Sequence, residues 1–361
     1  MKKKVIFFMP SMEGGGVEKN IILIANYLSK RKEVILITYD NKFNKFFNNK
    51  VKIINVTKKI QKVSKYYKYF FCILILVKNL IANKTLVFSF QANIYCLILC
   101  NILRNPIIIR SNSSPSGWTK NIFKKFIFKF FFKRSNEIIV NSFHFKNELD
   151  KKFGTNSKII LNPLNKKEIL RKSKKNINFN FFTKKDLKII NIARFTNQKD
   201  HLTLLKAFNI VSKKINSKLL IIGYGKNENL IKEFMKKNDL ERKVLIMHYK
   251  QNPYVYIKKS DLFVLTSKYE GLPNVLLESM VLKKFIISSD CPTGPKEILD
   301  NGKYGFLFKI GDFKSLAKKI IQYKNNKKKL KKKIKDGFLS LKKYEFNLNC
   351  KKYEEIIEKY L

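Results

Sequence analysis

The sequence predicts an α/β fold made of two doubly wound domains, each with a parallel sheet covered by helices on both faces. The chain has 361 residues, too many for one ordinary core and suited to two domains of typical size. Apolar residues make up 45%, enough for globular cores. Short continuous apolar runs alternate with segments of helical period nearly throughout, which is the pattern of strands buried on both faces.

The first half contains six apolar runs that we predict as strands, with amphipathic helices between most of them. The strands are Val5–Met9, Val34–Thr38, Val51–Val56, Leu86–Phe90, Ile107–Arg110 and Ile138–Asn141, and two of the helices are Val17–Ser29 and Asn93–Leu103. The first run follows Met1-Lys-Lys-Lys but is too short for a signal peptide, and glycines follow it where a cleavage site would lie. The longest apolar stretch, Tyr69 to Val77, falls short of the roughly 18 residues that a spanning helix needs.

Residues 165–186 are rich in lysine and asparagine, break this alternation, and are predicted to be an interdomain linker. The alternation then restarts with the predicted strands Leu187–Ile192, Lys218–Ile222, Val244–Met247, Leu262–Thr266 and Phe285–Ser288 and the helices His201–Ser212, Glu228–Lys237 and Asn274–Leu282. The lysine-rich tail from Leu316 to Leu361 is predicted to be helical. We therefore predict domains at 1–164 and 187–340, followed by a final helix at 341–361, with a ligand between the domains at the carboxyl ends of the strands.

The net charge is unusually high, because 76 lysines and arginines face 26 acidic residues and give +50. Such a field attracts nucleic acid, anionic membranes or phosphate-rich substrates. The abundance of Lys, Asn, Ile and Phe is also what an AT-rich coding sequence produces, so both explanations stay open. The five cysteines form no C-x-x-C and lie far in sequence from the histidines, which argues against a zinc site or disulfide framework and fits a reducing cytoplasm.

Two glycine turns follow predicted strands. The loop with Gly15 and Gly16 opens a helix, whose first N–H groups suit a phosphate, although a plain tight turn explains it as well. The Gly223-Tyr-Gly225 turn is more simply structural, and Glu228 stands where a dinucleotide fingerprint has its third glycine. A nicotinamide cofactor is therefore not predicted.

The most informative segment runs from Thr266 to Met280. Glu270 lies in the loop after a strand, and Glu278 lies about one turn into the following helix, so both can face one cleft. A carboxylate accepts two hydrogen bonds from adjacent hydroxyls, which suits the diol of a ribose or hexose. The amides between Leu272 and Val275 can point at an anionic diphosphate.

Two cations, Arg194 and Lys199, follow the first strand of the second half, at the same predicted sheet edge as Glu270. Cations at that position can neutralise a nucleotide diphosphate and stabilise it as a leaving group.

The order of these motifs resembles the GT-B-fold retaining glycosyltransferases of family 4, also called glycosyl transferases group 1. The resemblance includes Tyr-Glu-Gly-Leu-Pro-Asn-Val-Leu-Leu-Glu-Ser-Met around Glu270, the pair Arg194 and Lys199, and both glycine turns. The segment from Asp290 to Glu297 is similar to a bacterial surface-glycan subgroup that transfers hexose or N-acetylhexosamine units.

The resemblance implies two Rossmann-like domains facing across a cleft, a final helix that crosses back to the first domain, and a UDP-sugar donor. Glu278 would hold the ribose, Glu270 the donor sugar, and Arg194 with Lys199 the diphosphate. The remaining donor-binding residues would be Gly15, Gly16, Gly223, Gly271, Leu272, Pro273, Asn274 and Val275. Transfer would proceed by same-face attack with the leaving phosphate helping to deprotonate the acceptor. No cofactor and no metal are expected, and the chain contains no Asp-x-Asp.

The chain departs from many relatives by lacking a histidine near the donor sugar in the first domain. Arg110 and Asn112 occupy the comparable strand end and are the predicted substitutes for acceptor or donor-sugar contact. His144 is the alternative, although a structural role for it is also open.

The segment Phe123–Arg134 is basic and aromatic at helical spacing. Such a segment can lie in a headgroup layer, or it can be a core-facing helix with an ordinary lysine face. A lipid-linked acceptor at an anionic leaflet would make use of the +50 charge. We therefore expect a cytoplasmic enzyme, peripheral at the inner face of the plasma membrane.

Two other functions are compatible with parts of this pattern. A nucleotide-sugar epimerase would share the GT-B architecture, but the Glu270–Glu278 spacing and the glycine loops favour a transferase. Nucleic-acid binding is suggested by charge alone, and no helix-turn-helix, RNP or zinc-finger pattern supports specific recognition.

Overall fold

The computed structural model describes residues 3–56, 63–112 and 122–361. The chain divides into two compact units. The first comprises the chain up to Pro163 together with Phe346–Leu361, and the second comprises Leu164–Glu345. Each unit has one sheet in which every described pair of neighbouring strands is parallel. The predicted α/β class with two Rossmann-like sheets is confirmed.

The first sheet has seven strands in the order β3-β2-β1-β4-β5-β6-β7. The strands are β1 Lys4–Phe8, β2 Glu33–Thr38, β3 Val51–Asn55, β4 Leu86–Ser89, β5 Ile107–Arg110, β6 Glu137–Val140 and β7 Lys158–Ile159. The helices are α1 Gly16–Leu28, α2 Lys65–Ala82, α3 Asn93–Ile102, α4 Ile122–Phe132, α5 Phe143–Phe153 and, at the end of the chain, α14 Phe346–Glu358.

Alternating side chains of these strands bury two separate apolar layers, one on each face of the sheet. On one face, Ile24 of α1 and Tyr353 of α14 pack with Phe7 of β1. On the other face, α2, α3 and α5 pack through buried residues such as Leu76, Leu97 and Phe145. Strands covered on both faces are the reason for the continuous apolar runs in the sequence.

The second sheet has six strands in the order β10-β9-β8-β11-β12-β13. They are β8 Leu187–Ile192, β9 Ser217–Ile222, β10 Val244–Met247, β11 Leu262–Leu265, β12 Phe285–Ser289 and β13 Phe306–Phe308. The helices are α6 Lys166–Ser173, α7 His201–Lys214, α8 Glu228–Lys237, α9 Tyr254–Lys259, α10 Asn274–Val281, α11 Pro295–Ile298, α12 Phe313–Asn326 and α13 Lys331–Ser340.

Every predicted strand and helix named above is present, with ends that differ by at most a few residues. Several further elements were not predicted, among them β7, β13, α2, α5, α9 and α11. The strands β7 and β13 have only two and three residues, too few to show a period, and α2 carries apolar residues on most of its surface. The segment 165–186, predicted as a linker, includes helix α6, which buries Ile169 in the second unit. Among the described residues, no helix is both long enough and apolar enough to cross a membrane.

Candidate active site

The predicted site residues of the second unit lie where the strand order reverses. Strands β8 and β11 are neighbours in the sheet but are separated in sequence by two other strands. Loop 193–200 follows β8 and loop 266–273 follows β11, so both leave the carboxyl edge of the sheet at this point. Such a switch point is the usual ligand site of an open parallel sheet.

The two loops are joined by hydrogen bonds between their backbones and side chains. The Lys268 amide donates to the Gln198 carbonyl, and the Gln198 side-chain amide donates to the Tyr269 carbonyl, both at 2.8 Å. The Thr266 hydroxyl donates to the Lys199 carbonyl at 2.9 Å. Glu270 and Lys199 are therefore held in one structure although they lie 71 residues apart in sequence.

Glu270 is buried and its carboxylate has two partners. Its Oε1 forms an ion pair with Lys199 and accepts a 2.6 Å hydrogen bond from the Ser267 hydroxyl. Burying a carboxylate is costly unless a cation and hydrogen bonds compensate it, and this site supplies both. Arg194 lies exposed in the same loop as Lys199. The structure thus brings the Glu270 carboxylate into contact with the Lys199 ammonium group, and Arg194 lies five residues before Lys199 in the same loop.

A third loop holds the backbone of Glu270 in place. The Thr293 hydroxyl donates to the Glu270 carbonyl oxygen. Gly294 has φ +71°, and a Cβ there would lie 2.0 Å from the carbonyl oxygen of Gly271. Only glycine permits such an approach, so loop 290–294 fixes the position from which the Glu270 side chain leaves.

Glu278 lies in α10 and is buried. The hydroxyl of Tyr254, at the start of α9, donates to its Oε1 at 3.4 Å. Pro273 is the N-cap of α10, and Asn274 and Val275 form its half-buried first turn, close in the chain to Gly271 and Leu272. Glu270 therefore lies in the loop before the N-terminus of α10, and Glu278 lies one turn inside that helix. The amides at a helix N-terminus are a favourable position for an anion.

The structure gives Gly223 a packing role. A Cβ on Gly223 would lie 2.0 Å from the carbonyl oxygen of Ala193, and one on Gly225 would lie 2.6 Å from that of Phe195. Both glycines thus let the loop after β9 pack against loop 193–200, which carries Arg194. This favours the structural interpretation of the turn, and direct donor contact by Gly223 stays a prediction.

The structure pairs the amide of Gly15 within its own loop, and its predicted donation to a phosphate stays a prediction. The Gly15 amide donates to Oε2 of Glu18 at 2.9 Å, and the Glu13 amide donates to Oε1 of Glu18 at 2.9 Å. Glu18 thus caps the start of α1 by accepting from the N-cap amide and places its own negative charge at this N-terminus. The same loop is held from the other side, because the Met12 amide donates to Asp40 at 2.8 Å. Donor contact by Gly16 stays a prediction.

The structure gives Arg110 a structural role, and its predicted contact with acceptor or donor sugar stays a prediction, as do those of Asn112 and His144. Its guanidinium is 1% exposed and donates to the Tyr353 hydroxyl at 3.0 Å, to Asn162 at 2.6 Å and to Asn112. Arg110 thus holds α14 and the end of the first unit's main segment against β5. Asn112 also donates to the Phe90 carbonyl at 2.8 Å. His144 is exposed in the first turn of α5.

His201 was not singled out from the sequence beyond being the start of a helix. It is buried, stands edge-to-face on Phe195 at 5.1 Å, and neither ring nitrogen has a hydrogen-bond partner among the described residues. Burial, reinforced by the charge of Lys199, lowers the pKa of His201 to about 4. A neutral imidazole therefore packs beneath the loop that carries both cations.

Ser267, Thr293 and Gly294 were likewise not predicted as site residues, because serine and threonine after a strand are too common to single out. Within the described residues, no group of three or more His, Cys, Asp or Glu side chains is arranged to hold a metal ion. Metal independence stays a prediction.

Parts of this chain, and the chain as a whole, are similar to known proteins. Residues 172–338 match the family model described as Glycosyl transferases group 1. An uncharacterized glycosyltransferase of Methanocaldococcus jannaschii is 32% identical over 220 residues, which cover 55% of this chain and 54% of that protein. The N-acetylgalactosamine-N,N'-diacetylbacillosaminyl-diphospho-undecaprenol 4-alpha-N-acetylgalactosaminyltransferase of Campylobacter jejuni is 26% identical over 329 residues, covering 87% of this chain and 88% of that protein.

Solved structures with the same fold include HepE of Anabaena in complex with UDP-glucose, with a TM-score of 0.81 at 16% identity over 99% of both chains. A variant of TarM from S. aureus, in complex with Fondaparinux, alpha-GlcNAc-glycerol and UDP, has a TM-score of 0.78 at 14% identity over 99% of this chain and 100% of that one. At these identities the likeness shows the GT-B fold. With the family match over the half that carries Arg194, Lys199, Glu270 and Glu278, we conclude that this chain belongs to the glycosyl transferases group 1 family, family 4, and is a glycosyltransferase.

Proposed function

We propose that the protein transfers a hexose or N-acetylhexosamine from a UDP-sugar to a growing, lipid-linked surface-glycan acceptor with retention of configuration. The observation that carries the proposal is the Lys199–Glu270 ion pair at the switch point of the second sheet, beside the buried Glu278. The relative from Campylobacter jejuni is named for an undecaprenol diphosphate-linked substrate, and the solved structures of HepE and TarM hold UDP or UDP-glucose.

The donor is bound through its ribose and diphosphate in this proposal. Glu278 accepts hydrogen bonds from the ribose hydroxyls, since a carboxylate offers two oxygens to adjacent hydroxyls. Arg194 and Lys199 form ion pairs with the diphosphate. The diphosphate thereby competes with Glu270 for the ammonium group of Lys199. Glu270 is then available to the hydroxyls of the donor sugar while Ser267 keeps its carboxylate oriented.

In the transfer step, the bond between the anomeric carbon and the diphosphate oxygen breaks, and the acceptor oxygen bonds to the same face of that carbon. The acceptor proton passes to the leaving diphosphate, so UDP is released without a cofactor or a metal. Charge developing on the diphosphate is stabilised by Arg194 and Lys199. The donor and the lipid-linked acceptor meet at the cytoplasmic face of the plasma membrane.

The test is thermal unfolding of the purified chain with UDP-GlcNAc, UDP-GalNAc, UDP-glucose, UDP-galactose, GDP-mannose and UDP, repeated on Glu278→Ala. A ligand at about 100 times its Kd stabilises the folded state by about 2.7 kcal/mol, so one UDP-sugar should raise the Tm of the wild type. Glu278→Ala should lose that increase, whereas Glu241→Ala, at an exposed glutamate, should retain it. A folded protein that no UDP-sugar stabilises would refute the proposed donor.

The active donor is then incubated with lipid-linked acceptors, and the product is examined by NMR for its anomeric configuration. We expect the α-configured donor to yield an α-linked product at the same rate with and without EDTA. A β-linked product would refute retention, and a loss of activity in EDTA would refute metal independence.

A further inference from the structure

Helices α2, α3 and α4 of the first unit expose apolar side chains on their outer surface. On α2, Tyr66, Phe70 and Leu74 recur every four residues and are 73%, 60% and 50% exposed. On α4, Ile122, Phe126 and Phe130 recur in the same way and are 83%, 70% and 44% exposed. Large apolar side chains at i, i+4 and i+8 form a stripe on one side of a helix. We call this surface the outer helix face.

The outer helix face is one continuous surface. The three helices cover the same face of the first sheet, and α3 contacts both α2 and α4. The ring of Tyr69 on α2 contacts that of Tyr95 on α3, with centroids 6.0 Å apart. In a parallel sheet with crossover helices, each helix begins near the carboxyl ends of the strands. Tyr66 and Ile122, at the beginnings of α2 and α4, therefore lie towards the ligand edge of this sheet.

The charge of this region is one-sided. Between Asp40 and Glu137 the sequence has 19 lysines and arginines and no aspartate or glutamate. An even distribution of the 26 acidic residues over the chain would place about seven there. General compositional bias raises lysine everywhere, but it does not explain the complete loss of acids from the segment that contains the outer helix face.

The outer helix face is also connected to the loop that follows β1. Lys68, which lies in α2 between Tyr66 and Phe70, forms an ion pair with Asp40 at 2.8 Å. Asp40 in turn accepts from the Met12 amide at 2.8 Å. The position of α2 is thereby coupled to the loop at the carboxyl end of the central strand of this unit.

We propose that the outer helix face docks on the surface of an anionic phospholipid bilayer. The aromatic and aliphatic side chains enter the boundary between headgroups and acyl chains, and the lysines around them contact lipid phosphates. The Lys68–Asp40–Met12 connection then holds the loop after β1 at a defined position relative to the bilayer surface. A lipid-linked acceptor presents its saccharide at that surface. This inference rests on the proposed function for the identity of that acceptor.

The experiment is co-sedimentation of the full chain with vesicles at physiological ionic strength. Vesicles contain either phosphatidylglycerol with phosphatidylcholine or phosphatidylcholine alone. We expect the wild type to sediment with the anionic vesicles and at least tenfold less with the neutral ones. The apolar variant Phe126→Ser/Phe130→Ser and the charge variant Lys125→Glu/Lys129→Glu should each bind the anionic vesicles at least tenfold more weakly.

Two matched controls separate this face from general properties of the chain. Leu339→Ser replaces a leucine that is 60% exposed in the second unit, and Lys314→Glu/Lys318→Glu makes the same change of net charge on exposed residues of α12. Both should bind vesicles like the wild type. If Lys314→Glu/Lys318→Glu loses as much vesicle binding as Lys125→Glu/Lys129→Glu, then binding depends on the net charge of the chain and the proposed surface is wrong.

The rise in Tm with UDP-sugar is measured on the same samples without vesicles. This shows whether the donor proposal and the docking proposal hold or fail independently of each other. A protein that binds UDP-sugar but neither vesicle refutes the docking surface and leaves the donor proposal intact. A protein that binds anionic vesicles but is stabilised by no UDP-sugar refutes the donor proposal and leaves the docking surface intact. A concentration-dependent dimer that Phe126→Ser/Phe130→Ser abolishes, in a wild type that does not bind vesicles, would show that a second copy covers this face and would also overturn the proposal.

Discussion

Replacing Gly294 with alanine should test how firmly loop 290–294 fixes the backbone of Glu270. Gly294 has φ +71°, and an added Cβ would lie 2.0 Å from the Gly271 carbonyl oxygen and 2.8 Å from Pro273. Gly311 provides a matched control, because its φ is +77° and a Cβ there would meet nothing within 4 Å.

The difference between the two variants isolates the steric term. A positive φ costs an alanine about 1–2 kcal/mol at either position. At Gly294 the obstructing atom is a backbone carbonyl oxygen, so relief requires loop 266–273 to move. We expect a total loss of at least about 4 kcal/mol in the free energy of unfolding for Gly294→Ala. A displacement of about 1 Å at Glu270 should also lower kcat/KM about 100-fold.

The assay is urea unfolding of both variants, followed by UDP release at a temperature where both remain folded. Gly311→Ala should lose only the backbone term and keep wild-type activity. If Gly294→Ala matches Gly311→Ala in stability to within about 0.5 kcal/mol and retains full activity, then loop 290–294 does not constrain the site and the reasoning is wrong.

Three further predictions concern buried polar groups. Ser267→Ala removes a hydrogen bond to the Glu270 carboxylate and should lower kcat about 10- to 100-fold while the KM for the donor changes little; an equal change in KM would show a binding role instead. Burial lowers the pKa of His201 to about 4 in the folded state, so the folded state holds the neutral imidazole near neutral pH. The free energy of unfolding should therefore be highest above pH 6.5 and should fall by roughly 3 kcal/mol as the pH drops towards 4. His201→Phe should flatten that slope in urea unfolding, and an unchanged slope would assign it to other groups. Tyr353→Phe should cost about 1–3 kcal/mol because it leaves the buried Arg110 guanidinium with one acceptor fewer, and a cost near zero would show that this bond does not hold α14.

The sequence predicted most strands of both sheets and the loops that carry the candidate site residues, because both depend on local patterns. Short continuous apolar runs such as Leu262–Leu265, bounded by turn residues, favour buried strands, and a glutamate in the loop after such a run lies at the carboxyl edge of a parallel sheet. The positions of Glu270 and Glu278 relative to α10 followed from Gly271 and Pro273 in the same way. Helix α6 was not predicted because it is short and rich in lysine. Ile169 is its one buried apolar residue, so the segment shows little helical periodicity.

By itself, the sequence determined the fold class and placed Arg194, Lys199 and Glu270 in loops after strands, at the carboxyl edge of the second sheet. Only the tertiary structure decided which groups those residues meet. Glu270 pairs with Lys199 across 71 residues, and Arg110 donates to Tyr353 across 243, so neither partner is visible in a local window. The same holds for Gly15, whose amide looked available in the sequence but donates to the Glu18 carboxylate. Periodicity is a property of neighbouring residues, whereas the partner of a buried polar group is set by how distant segments pack.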